Sequence, residues 1–119
     1  MRANHTTRVY VKGTDQMVES SLARTLYNVL GESAVILIGS PETADGGDIV
    51  VTTDGACSPA EVSNLSEMGE QVVVLAALPD ETAEARYRSA GAMAYLPMVA
   101  AVAPLVAAIA ASLAALGAG

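Results

Sequence analysis

Phenylalanine and tryptophan are absent from this chain of 119 residues, and cysteine and histidine occur once each. A single thiol, Cys57, cannot close an internal disulfide, and Cys57 with His5 cannot by themselves assemble a zinc site. No Ser-His-Asp or Cys-His arrangement is available, because His5 sits in residues 1–7, a segment expected to be disordered. Nucleophilic catalysis is therefore not expected, nor is a cofactor or a metal. Bases are also scarce: six against thirteen acids give a net charge of −7. A nucleic-acid surface needs clustered Lys or Arg, so no direct nucleic-acid binding is expected. The N-terminal MRANHTTRVYVKGTD lacks the apolar stretch of a signal peptide. With a lone cysteine, that argues for a reducing, cytoplasmic setting. The last absence is the most unusual: from Ser89 to Gly119 there is no charged side chain.

What is present is apolar and mostly aliphatic. Apolar residues make up 52% of the sequence, enough for a substantial core in one domain spanning 1–119. Val99 to Leu116 is long enough to cross a bilayer. Against that stand Pro104, Ser112 and the dominance of Ala, which inserts weakly. Val102, Leu105, Val106, Ile109, Leu113 and Leu116 fall at spacings of three and four. They form one stripe, the pattern of a helix docked on a core. No membrane association is expected.

Short β-branched runs at 8–12, 34–39, 48–53 and 71–76 predict buried parallel strands, with 93–96 as a weaker fifth. Helical patterns lie between most of them. Residues 15–30 place Val18, Leu22, Leu26, Val29 and Leu30 on one face, with Asp15 as N-cap and Gly31 as stop. Ser58-Pro59-Ala60-Glu61 reads as a capping box with proline at the first helical position, and Gly69 closes that helix. Asp80 caps a third helix ending near Gly91, and a last helix is expected from Ala103–Pro104. The order predicts a three-layer α/β domain with right-handed crossovers. One connection departs from the rule. Residues 40–47 join strands two and three with too few residues for a normal helical crossover. A compressed parallel connection to an edge strand is expected there.

From Gln71 to Ile109 the chain resembles a bacterial response-regulator receiver domain of the NarL/FixJ type. QVVVLAALPDETAEARYRSAGAMAYLPM looks like the family's fourth strand, fourth helix and fifth strand. VYVKGTDQMVESSLARTL resembles its first strand and helix, and DIVVTTD its third strand. The resemblance implies a doubly wound, flavodoxin-like, five-stranded parallel sheet, here with the second helix shortened or missing. It also implies a phosphorylation switch, with an acidic pair for Mg²⁺, an Asp acceptor, a hydroxyl, a lysine and a reporting aromatic.

Carried over by position, nearly all of that chemistry is lost. The acidic pair falls on Gly13 and Thr14, the acceptor on Thr53, the hydroxyl on Ala76 and the lysine on Met98. Only the aromatic remains, as Tyr95. Mg²⁺ requires hard oxygen ligands, and an acyl phosphate requires a carboxylate. The expectation is a pseudo-receiver, not an enzyme, that signals without phosphorylation. The counter-reading slips the register by one, making Asp54 the acceptor and Asp15 a residual metal ligand. Strand alternation opposes it.

In the family, the fourth helix, fifth strand and fifth helix form the contact face. Here Ala101, Ala107, Ala108, Ala111 and Ala115 would lie on the outer side of the last helix, where charges are usual. With Tyr95 they predict a homodimer or a partner-protein surface. The alternative is a metabolite-sensing module, with a small ligand at the strand C-termini. Lys12 is expected either to be solvated or to pair with Asp54 or Asp15, and Cys57 to be an inert thiol near the site mouth. The helix-turn-helix output module of NarL/FixJ-type regulators does not occur within these 119 residues. Transcriptional control is implied by the family alone.

Overall fold

The computed structural model describes residues 7–30, 34–39, 49–98 and 107. Five strands form one parallel sheet: β1 (Thr7–Lys12), β2 (Ala34–Ile38), β3 (Ile49–Thr53), β4 (Gln71–Ala76) and β5 (Ala94–Pro97). Their order is β2-β1-β3-β4-β5, with every neighbouring pair parallel. Three helices accompany them: α1 (Gln16–Leu30), α2 (Pro59–Glu67) and α3 (Glu81–Ser89). This is the doubly wound, flavodoxin-like architecture expected from the alternating runs. β2 is an edge strand parallel to β1, as the short connection required. The connection at 40–47 itself lies outside the described residues, as do Gly31 and most of the last helix. One boundary is corrected. Thr7, expected in a disordered tail, belongs to β1, where it pairs in register with Ala34.

The helix starts follow from local chemistry. Asp15 Oδ1 accepts the Val18 N–H at 2.9 Å, and Asp80 Oδ2 accepts that of Ala83 at 2.9 Å. Ser58 Oγ accepts the Glu61 N–H at 3.3 Å while Glu61 Oε1 accepts that of Ser58 at 3.0 Å, completing the box ahead of α2. Each side chain satisfies a donor that the first helical turn leaves unpaired.

Two cores flank the sheet. Val9, Val11, Val51, Val73 and Leu75 pack with Leu26 of α1 on one face. Val50, Val72 and Val74 pack with Val62 and Leu65 of α2 and Tyr87 of α3 on the other. β3 is buried along its whole length and β4 beyond Gln71, which is why their sequences run apolar without alternation. No described helix is long and apolar enough to cross a membrane.

Candidate functional site

All strands run the same way, so the β1–α1, β3–α2 and β4–α3 loops gather at one end of the sheet. The register there shows which residues meet at that end. Lys12 pairs with Thr52 and Ala76 with Pro97, and the Met98 N–H donates to Ala76 O at 2.8 Å. Gly13 and Thr53 follow one step beyond the Lys12–Thr52 pair. The structure thus brings Gly13, Thr14, Thr53, Asp54, Ala76 and Met98 to the same edge.

Each of these positions has its own local surroundings. Thr53 is buried, and its Oγ1 accepts the Ala56 N–H at 3.2 Å. Ala76 is buried in the α2–α3 core, and Met98 packs against the α1 core. Gly13 donates its N–H to Glu19 Oε2 at 3.2 Å, so an α1 carboxylate folds back onto the end of β1. A Cβ on Gly55 would stand 2.8 Å from Thr14 Cγ2, so Thr14 lies directly over the β3–α2 loop. Among the described residues, no three His, Cys, Asp or Glu side chains gather to hold a metal.

Asp54 begins the turn after β3. Its N–H donates to Leu75 O at 3.0 Å, and its carbonyl lies 3.2 Å from the Tyr87 hydroxyl. The charge of Asp54 is felt by the Tyr87 phenol. Asp15 is committed to capping α1. Lys12, expected near Asp54 or Asp15 if paired at all, instead lies 3.5 Å from Glu61 Oε2. The reason is parity: Lys12 shares a strand face with Tyr10, the face on which α2 packs. The Ser58 backbone N–H, followed by the Lys12 ammonium, holds the Glu61 carboxyl below its ordinary value. Cys57 is buried, as an inert thiol requires.

The residue that sequence reasoning missed is Tyr87. It is 5% exposed, and its hydroxyl donates to Cys57 O at 2.6 Å. Its ring stacks on Tyr95 with centroids 5.8 Å apart. Tyr95, expected on the outward contact face, is instead buried, and its hydroxyl accepts the Asp80 N–H at 3.2 Å. Ala107 is helical and exposed, while Ala101, Ala108, Ala111 and Ala115 lie outside the described residues.

Burial, and then the Asp54 charge, push the Tyr87 phenol above its ordinary value of 10.0. The folded state therefore keeps this proton after the unfolded chain has lost it. Its contribution to stability is full below pH 10 and falls as pH rises through the folded value. Tyr87→Phe keeps the ring and loses the hydroxyl bond, at about 1 kcal/mol at pH 7. Urea midpoints should then fall less steeply above pH 10 in the variant than in the wild type. Identical slopes would contradict the assignment.

The geometry can be set beside known structures. A protein of Burkholderia pseudomallei described as pilus assembly-related superposes with a TM-score of 0.78 at 16% identity, covering 92% of this chain and 90% of that one. A LuxR-family two-component response regulator from Aurantimonas gives 0.73 at 18% identity, covering 92% and 86%. An orphan response regulator of H. pylori gives 0.68 at 23% identity, covering 90% and 96%. The fold is that of receiver domains. No protein-family model matches the sequence, and no curated protein does. Within this receiver-like domain, the positions where the resemblance puts the phosphorylation residues hold Gly13, Thr14, Thr53, Ala76 and Met98.

Proposed function

We propose that this domain is a phosphorylation-independent regulatory module of an atypical response regulator, acting by protein–protein contact. The observation that carries the reading is Thr53: at the acceptor position stands a buried hydroxyl already bonded to Ala56. At the positions where the resemblance puts the lysine and the acidic pair stand Met98 and Gly13-Thr14. Phosphoryl transfer there has neither a carboxylate to accept nor a cation to offset the developing charge.

The contact we assign is homodimerisation through α3, β5 and the last helix, whose Ala107 is exposed. Small uncharged side chains let two helices approach closely. Tyr95 does not contribute directly, because it is buried. Sedimentation of the wild-type chain should give a dimer, and Ala107→Arg a dissociation constant raised about tenfold or more, since a central interface substitution costs more than 1 kcal/mol. A wild-type monomer at 100-micromolar order would overturn the dimer. A metabolite at the strand ends, the other reading of the substituted site, has less in its favour. Of two clefts among the described residues, of about 510 and 180 Å³, the smaller reaches the strand ends at Lys12 and Cys57, and neither is lined by Gly13, Thr53, Ala76 or Met98.

A further inference from the structure

We propose that Tyr87 and Tyr95 form a clamp that holds the β3–α2 and β4–α3 loops in a single arrangement, without a phosphoryl group. The inference rests on the phosphorylation-independent reading above and names what fixes the state of that site. Tyr87 comes from α3 and Tyr95 from β5, and their rings stack at 5.8 Å with 30° between planes. Both are nearly fully buried, at 5% and 6% exposure. In contrast, Tyr27 is exposed and Tyr10 only partly buried, so these are the two buried aromatic rings among the described residues.

Their hydroxyls serve different loops. Tyr87 donates to Cys57 O at 2.6 Å, with Asp54 O at 3.2 Å, and so holds the loop leaving β3. Tyr95 accepts the Asp80 N–H at 3.2 Å and so holds the loop leaving β4, at the residue that also caps α3. Rearranging the β3–α2 loop breaks a buried hydrogen bond and rearranging the β4–α3 loop a part-buried one, and either movement disturbs a stack that serves the other loop. The stacked pair therefore couples the two loops and opposes independent movement of either. Ala76, in the same core cluster, brings only a methyl group and no hydroxyl to compete for these partners.

The test is amide hydrogen exchange by NMR on the full chain, comparing wild type, Tyr95→Phe and Tyr87→Phe. Tyr95→Phe should accelerate exchange at Asp80 roughly two- to tenfold, the equivalent of one lost hydrogen bond. Tyr87→Phe leaves the Tyr95–Asp80 bond intact, yet a coupled clamp requires that it also accelerate Asp80, together with residues 54–58. Amides of Val9 and Val11, in the opposite core, should keep wild-type rates in both variants. Asp80 at the wild-type rate in Tyr87→Phe would overturn the clamp, and so would equal acceleration of Val9 and Val11, which means global destabilisation. Failure of the phosphorylation-independent reading shows separately, as a phosphoryl mass gain on the wild-type chain.

Discussion

Thr53→Asp, which restores a carboxylate at the acceptor position, is expected to destabilise the domain by about 3–5 kcal/mol at pH 7 and not to confer phosphorylation. Thr53 is 2% exposed, so the new charge would lose nearly all of its water. The Ala56 N–H, which now serves the threonine hydroxyl at 3.2 Å, offers one donor. Among the described residues the two nearest candidates offer no offsetting cation: Met98 is uncharged, and Lys12 lies against Glu61 on the other face of the sheet. Beside the neighbouring strand end, Glu19 already brings a carboxylate to the Gly13 amide. The buried acid should therefore titrate above the ordinary carboxylate range. The sign follows: a folded-state value raised above the unfolded one means the deficit shrinks as pH falls through it. Urea denaturation from pH 4 to 8 reads this, with Thr53→Asn as the uncharged control. Stability of Thr53→Asp within 0.5 kcal/mol of wild type, a margin typical of surface substitutions, would mean that the position is not the dry one described.

Gly91→Ala should cost about 3 kcal/mol, from two separable causes. Gly91 ends α3 with φ at +111°, where a side chain is strained whatever the space around it. An added Cβ would also stand 2.4 Å from Ser66 Oγ and 2.7 Å from Ser66 Cβ, because the end of α3 lies directly on α2. Pairing Gly91→Ala with Ser66→Gly removes the collision and leaves the backbone strain. The double variant should therefore be less destabilised than the sum of the two single changes. Strict additivity in urea midpoints would show that the helices separate freely and that the contact carries no constraint.

Much of the fold was legible because its signals are local. Ser58 and Glu61 are three residues apart, Asp15 and Asp80 each precede a helical pattern, and Gly69 and Gly91 mark stops. β3 and β4 announced themselves as β-branched runs without polar–apolar alternation. The positional site reading also rests on local counts along β1, β3 and β5, and the register brings those positions together. What was not legible depends on which face a side chain takes. Lys12 meets Glu61, 49 positions away, because β1 parity and the start of α2 coincide in space. The inward turn of Tyr95 could not be read from β5, where buried Ala94 and Tyr95 are consecutive and alternation gives no contrast. Tyr87 sits between Arg86 and Arg88 on a polar helix, so periodicity did not mark it as core. The available signal was compositional: in a chain without Phe or Trp, few side chains can fill the space between the sheet and α3.

The charge-free segment after Ser89 takes on a definite meaning in this fold. Its first part supplies β5, with Tyr95 buried and Met98 packed on the α1 core.

Intact-mass spectrometry after incubation with Mg²⁺ and acetyl phosphate tests the central claim most directly. The wild-type chain should show no phosphoryl adduct under conditions that label a phosphorylatable receiver run alongside. A stable adduct on the wild-type chain that disappears in Asp54→Ala would contradict phosphorylation independence and restore Asp54 as an acceptor.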